Sequence, residues 1–187
     1  SKSSGANVQQ YESNGNACQH WILEETTAAG VKLDTSQVYQ FQNANSALYL
    51  EVKDASAEAG ANVQQWGANG NDCQNWTLKE FGDGYYYILS RLGDGKTYYL
   101  DVAEGKGDDG TNIQIFTNTK TSAQLFKFIP NPDGTYYIVT RASKDKGALG
   151  VAAASKEQGA NVLQWTKNGS MDQMWNITAI GAIPTPV

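Results

Sequence analysis
A seventeen-residue stretch, GANVQQWGANGNDCQNW from Gly60 to Trp76, recurs along the chain in altered copies. GANVQQYESNGNACQHW runs from Gly5 to Trp21, GTNIQIFTNTKTSAQLF from Gly110 to Phe126, and GANVLQWTKNGSMDQMW from Gly159 to Trp175. In every copy an aromatic stands eight positions before the glutamine of a Gln-x-aromatic triplet: Tyr11 and Gln19, Trp66 and Gln74, Phe116 and Gln124, Trp165 and Gln173. A repeat of fixed length builds one supersecondary unit several times, because a single unit cannot bury its apolar face alone. The chain must therefore stack copies of one element around a shared core.

The triplet glutamines Gln74, Gln124 and Gln173 lie 50 and 49 residues apart, and 24 positions before each stands a leucine in a strand-like run: Leu50, Leu100 and Leu149. Three repeats are complete. The first copy has no such leucine and its Gln19 lies 55 residues before Gln74, so residues 1–23 read as half a repeat. From Trp21 to Tyr39 there are 18 positions where Trp76 to Tyr87 and Phe126 to Tyr137 have 11, which marks an insertion and a boundary near residue 35.

Within the first full repeat, alternation of apolar and polar residues predicts four short half-buried strands, Val38 to Gln42, Leu48 to Val52, Asn62 to Trp66 and Asn75 to Glu80. Turns at Phe81 to Gly84 and Pro132 to Gly134 lead into the second repeat, Tyr85 to Pro132, and the third, Tyr136 to Ile180. Nineteen glycines against four prolines suit many tight turns between short strands. Four-stranded units of this length also build propellers, but those close with about four to eight blades, so three units predict a threefold closed arrangement. The expected organisation is a half-repeat and linker over 1–35, one all-β domain over 36–181, and the start of a Pro/Thr linker over 182–187. The chain reads as a piece of a longer protein.

A net charge of −5 without a basic cluster argues against a nucleic-acid partner, and no apolar run of about eighteen residues is present to span a bilayer. Cys18 and Cys73 hold equivalent positions in two copies. Equivalent positions of pseudo-symmetric units rarely approach within the roughly 4.4–6.8 Å between Cα atoms that a disulfide needs, so both read as small, partly buried thiols. The single histidine, His20, lies in the half copy, which excludes a Ser/His/Asp triad and a multi-histidine metal site. Asp83, Asp94, Asp108, Asp109 and Asp133 sit in glycine-rich turns, where aspartate serves backbone geometry, and read as solvated turn residues rather than a catalytic pair. No catalytic residue, metal site or cofactor is expected.

The triplets QHW, QNW, QLF and QMW, the LYLEV and YYLDV strands and the GANVQQW strand resemble ricin B-type lectin repeats, with carbohydrate-binding module family 13 the nearest flavour. The resemblance covers residues 36–181 and the half copy. It implies a β-trefoil of three pseudo-symmetric four-stranded repeats, preceded by the extra half-repeat. It also implies a secreted, non-catalytic module that targets a covalently linked glycoside hydrolase to polysaccharide of the galactan, arabinan or xylan type.

Trp21, Trp76, Phe126 and Trp175 read as core, each ring removing about 150–250 Å² from water. The triplet glutamines read as hydrogen-bonding the loop beside the site. Tyr11, Trp66, Phe116 and Trp165 each precede a polar loop, and so either stack on a sugar or form the rim of the core; the resemblance assigns stacking. In such repeats the acid after the strand leucine accepts hydrogen bonds from two adjacent sugar hydroxyls, and a glutamine two residues before the aromatic adds an amide. Repeat two retains Asp101, Gln114, Phe116 and Gln124, the fullest set. Repeat one has Glu51, Gln64, Trp66 and Gln74, with an acid one methylene longer. Repeat three has Gly150 and Leu163 in place of acid and amide, leaving Trp165 and Asp172 alone, and reads as silent. The family often places asparagine just before the triplet glutamine. Here Cys18, Cys73, Ala123 and Asp172 stand there, which leaves galactose, arabinose and xylose all open.

A different class of function, a trefoil used for protein contact or inhibition with vestigial sugar sites, fits the altered acids of repeats one and three. The half copy would expose an apolar face around Trp21 with open strand edges. It is expected to pack as the remnant of a preceding trefoil or to exchange strands through residues 1–23.

Overall fold
A computed structural model describes residues 31–184. The half copy, with Tyr11, Cys18, Gln19, His20, Trp21 and the expected strand exchange, lies outside the described residues, as do the last three residues of the expected linker.

Among the described residues twelve strands fall four to a repeat. The first repeat holds β1 (Gln37–Asn43), β2 (Tyr49–Val52), β3 (Val63–Trp66) and β4 (Trp76–Gly82). The second holds β5 (Tyr85–Ser90), β6 (Tyr98–Val102), β7 (Thr111–Thr117) and β8 (Phe126–Pro130), and the third β9 (Tyr136–Thr140), β10 (Gly147–Val151), β11 (Val162–Thr166) and β12 (Trp175–Ala182). The strands expected in the first repeat match these within two residues. Each triplet glutamine, however, ends a short 3-10 turn, Asp72–Gln74, Ser122–Gln124 or Met171–Gln173, just before its strand.

The first and last strands of the repeats close a six-stranded barrel. β1 pairs with β4 and β12, β4 with β5, β5 with β8, β8 with β9, and β9 with β12, all antiparallel. Closure leaves these strands no free edge. The inner hairpins β2–β3, β6–β7 and β10–β11 cap one end of the barrel, joined by pairing of β7 with β11 and by bridges from Asn62 to Gln114 and from Gln64 to Asn161. This is the β-trefoil.

Period-two alternation turns Leu50 and Val52, Leu100 and Val102, and Leu149 and Val151 into one core with Phe41, Trp76, Phe126, Phe128, Ile138 and Trp175, all buried. Trp76 and Trp175 also donate their indole N–H to the Leu50 and Leu149 carbonyls, at 3.3 and 3.0 Å, so these rings are buried with their polar atom satisfied. On the pseudo-threefold axis three equivalent asparagines form a closed ring. Asn62 donates to Asn161 at 2.9 Å, Asn161 to Asn112 at 2.8 Å, and Asn112 to Asn62 at 2.9 Å.

Candidate functional site
Each inner hairpin sets an acid position directly across from an amide position. Glu51 faces Gln64, Asp101 faces Gln114, and Gly150 faces Leu163. Two residues further along the second strand stand Trp66, Phe116 and Trp165, paired with Tyr49, Tyr99 and Ala148. Because side chains i and i+2 share a face of a strand, acid, amide and ring project to the same side, away from the leucines. Trp66 and Trp165 are 40% and 45% exposed and Phe116 is half-buried, so none of these three rings belongs to the core, unlike Trp76, Phe126 and Trp175.

In repeat two these residues line an open cleft of about 530 Å³, walled by Asp101, Gln114, Phe116, Glu104, Thr119 and Thr121 among others. Gln114 donates its amide to Asp101 Oδ1 at 2.9 Å. Asp101 has only 3% of its surface exposed, and burial raises its carboxyl above the ordinary value, with the amides of Gln114 and Gln124 pulling it back down. The carboxylate is thus held by the Gln114 amide, with the buried Gln124 amide close beside it. An ionised carboxylate offers about four acceptor positions, and with 3% of its surface exposed Asp101 presents only an edge of its carboxylate to the cleft it lines.

Repeat one is built differently. Glu51 accepts from Gln64 at 3.1 Å on one oxygen, and from Asn69 at 2.7 Å and Gln74 at 2.8 Å on the other. Three of about four acceptor positions are filled from within. The longer acid reaches inward to the loop that follows Trp66.

Gln74, Gln124 and Gln173 are fully buried. Gln74 donates also to the Gly67 carbonyl at 2.8 Å and accepts from the Asn69 amide, while Gln124 donates to the Thr117 carbonyl at 2.8 Å and accepts from the Thr119 amide. Both hold the loop after the exposed ring, and in repeat one also the acid. They position the site without presenting an atom to the cleft.

Sequence reasoning did not single out Asn69, Glu104, Thr119 or Thr121. Asn69 and Thr119 occupy one register, three residues after the ring, and that shared offset is the signal by which they can be found. Thr119 and Thr121 share a hydrogen bond between hydroxyls at 2.9 Å, and Glu104 pairs with Lys106 at 2.6 Å on the open rim. Cys73 is a buried thiol beside Asn69, raised from its usual range by burial. Two of the turn aspartates serve their own turns, and Asp109 instead reaches β11 of the next repeat. Asp94 and Asp133 accept from the backbone and hydroxyls of Thr97 and Thr135, and Asp109 from those of Thr166.

The sequence profile described as ricin-type β-trefoil lectin domain-like matches residues 30–116, 94–165 and 122–183. The chain belongs to this family. Among solved structures, the lectin trefoil of this chain is similar to ThreeFoil, a designed threefold-symmetric protein, at 34% identity and a TM-score of 0.72 over 76% of this chain and 99% of that one. It is similar to part of 1,3Gal43A, an exo-β-1,3-galactanase from Clostridium thermocellum, at 30% identity and a TM-score of 0.72 over 78% of this chain and 30% of that one. The Macrolepiota procera ricin B-like lectin, solved with lactose, shares the fold at 16% identity and a TM-score of 0.64, over 80% of this chain and 99% of that one. The clotting factor G alpha subunit of Tachypleus tridentatus is 36% identical over 69 residues. Those residues are 36% of this chain but only 10% of that subunit's length.

Proposed function
We propose that this trefoil is a secreted, non-catalytic module that binds neutral sugar residues of galactan-, arabinan- or xylan-type polysaccharide and keeps a covalently linked glycoside hydrolase near its substrate. The observation that carries the reading is the repeat-two cleft. A half-exposed Phe116 ring lines one cleft with a carboxylate, Asp101, that is oriented by Gln114. A pyranose or furanose has an apolar face of C–H groups for the ring and a rim of hydroxyls for fixed acceptors, so the three side chains match both halves of a sugar. The likeness to a segment of an exo-β-1,3-galactanase supports both the galactan class and the hydrolase context.

Such a shallow site binds weakly, since a dissociation constant near 1 mM corresponds to about −4.1 kcal/mol. Trp66 with Glu51 supplies a second contact, and two weak contacts on one polymer gain through effective concentration. Affinity electrophoresis of the whole chain through gels containing β-1,3-galactan, arabinan or xylan tests the reading. Retardation on at least one polymer, reduced by Asp101→Ala, is expected. Migration unchanged by all three polymers overturns it, and retardation indifferent to Asp101→Ala removes the repeat-two site.

A second reading is favoured by the closed hydrogen-bond set of Glu51. With three internal donors on its carboxylate, repeat one suits a vestigial site on a trefoil that meets another protein. Capture of extracellular proteins irrespective of their glycans distinguishes the two.

A further inference from the structure
On the outer face of the barrel, where repeat two meets repeat three, five side chains form a cluster of rings and charges. The Tyr85 hydroxyl, at the tip of the β4–β5 hairpin, lies 2.8 Å from both carboxylate oxygens of Asp145 in the β9–β10 loop. Lys127 of β8 pairs with the same carboxylate at 3.5 Å and stands 4.3 Å above the Tyr85 ring. The Arg141 guanidinium lies 4.9 Å from the centre of the Tyr85 ring and 5.4 Å from that of Phe81, which remains 48% exposed. The barrel pairs Tyr86 with Phe126, Tyr39 with Trp76 and Tyr136 with Trp175, so the equivalents of Tyr85 are Val38 and Thr135, and those of Lys127 are Thr77 and Asn176. Arg91, the equivalent of Arg141, turns toward its own Gly95, where a Cβ would lie 3.0 Å from its Nη1. The other two junctions close without the cluster, so the fold alone does not call for it.

Asp145 is already engaged by Tyr85 and Lys127, whereas the Arg141 side chain meets no acceptor among the described residues. Its backbone N–H donates to the Leu125 carbonyl at 2.9 Å. A guanidinium held against aromatic rings has little rotamer freedom left to lose and keeps edge N–H groups free, and such an edge matches a carboxylate in two parallel bonds. Lys144 and Lys146, both exposed, flank Asp145 in the same loop. Four cations, with Lys127 and Arg141, therefore stand against two acids, Asp145 and the nearby Asp83, on a chain whose net charge is −5.

We propose that Arg141 and Phe81 form a second binding site, separate from the repeat clefts, for the carboxylate-bearing residues of an acidic polysaccharide. A uronic acid carries its carboxylate on a ring with a C–H face, so the acid can meet the guanidinium edge while that face meets the exposed phenyl ring. Place in the fold favours a polysaccharide over an acidic peptide or a nucleic acid. Leu125, which holds the Arg141 backbone, follows the 3-10 turn whose Ser122 and Ala123 line the repeat-two cleft. A Cβ on Gly107, two residues past Gly105 of the same cleft wall, would lie 2.7 Å from the Ala142 carbonyl oxygen. The loop that carries Arg141 thus borders the cleft, and the two sites are neighbours.

This inference rests on the sugar-binding reading, and its test separates the two. The amide resonances of Gly82, Gly84 and Lys144 in the 15N-labelled whole chain are followed by NMR during titration with trigalacturonate and with its methyl ester, which keeps the rings and removes the charge. They should move saturably with the acid and stay still with the ester. Arg141→Gln should weaken the titration about tenfold or more. Arg141→Lys, which keeps the charge but not the planar fork, should weaken it too. Stillness with the acid, equal response to acid and ester, or indifference to Arg141→Gln overturns the site. So does a short polyglutamate or oligothymidylate that binds through Arg141 more tightly than trigalacturonate. If the site fails while neutral galactan, arabinan or xylan still retards the chain in an Asp101-dependent manner, the sugar-binding reading stands without it. Failure of both removes the two together.

Discussion
Gln114 donates its side-chain amide to Asp101 at 2.9 Å across the β6–β7 pair, whereas the equivalent Gln64 shares Glu51 with Asn69 and Gln74. One methylene separates the two acids, and the consequence is a difference in role. Asp101 lines the cleft with fewer internal donors, and Glu51 ties the loop after Trp66. Glu51→Ala should then destabilise the fold by about 3 kcal/mol or more, because it strands buried amides that lose a charged acceptor. Asp101→Ala should cost less, about 1.5–3 kcal/mol for a hydrogen bond to a charged group, and also lower sugar affinity. Urea unfolding of both variants beside polysaccharide retardation checks this, and equal stability losses would refute the division.

The raised Asp101 carboxyl gives that division a pH signature. Burial is the leading cause of the shift above the ordinary 3.8, so the folded protein holds this proton more tightly than the unfolded chain does. The resulting contribution to stability is full below 3.8 and is lost as pH rises through the raised value. Sugar binding has the opposite sign, since only the ionised form offers all its lone pairs to hydroxyls. Repeat-two affinity should decline as pH falls through the raised value, already above 3.8. Asp101→Asn should be at least as stable as the parent at about pH 7 while binding sugar more weakly at every pH. Unfolding curves and NMR titrations of Thr119 between about pH 3 and pH 7 measure both effects.

The fold was legible in the sequence because its determinants are periodic. Fixed spacing from leucine to triplet and from ring to triplet reports strands that pack equivalently, and the core residues Leu50, Trp76, Leu100, Phe126, Leu149 and Trp175 follow from it. The residues that shape the clefts are less legible because they depend on contacts across repeats or on side-chain reach. Nothing in GANV or GTNI says that Asn62, Asn112 and Asn161 meet on an axis, since a strand pattern specifies a face and not a partner about 50 or 100 residues away.

The asparagine ring supports a prediction about cooperativity between repeats. Asn112→Ala removes two of the three bonds and leaves half-buried groups on Asn62 and Asn161 without partners. A loss of about 1–3 kcal/mol is expected. Once one member is gone, its two neighbours retain a single bond between them. Replacing all three should therefore cost clearly less than three single losses. Additive losses in thermal or urea unfolding would show that the bonds act independently.

The last prediction uses one repeat as the control for another. After β2, β6 and β10 the chain makes the same tight turn with two consecutive left-handed residues: Asp54 and Ala55, Glu104 and Gly105, Ala153 and Ala154. Only repeat two has glycine at the second place, where φ is +64°, while Ala55 and Ala154 hold φ of 50° with a Cβ that crowds the following carbonyl. That crowding costs roughly 1–2 kcal/mol per residue, and glycine gives back part of the gain through the larger freedom of the unfolded chain. Ala154→Gly and Ala55→Gly should each raise stability by about 0.5–1 kcal/mol, whereas Gly105→Ala should lower it by a similar amount. The Gly105→Ala variant also places a methyl group in the wall of the repeat-two cleft. It should weaken sugar binding there, while the two glycine variants leave that cleft untouched. Urea midpoints that move the other way in the alanine-to-glycine variants would show that the turn geometry is held by its surroundings and not opposed by the side chain.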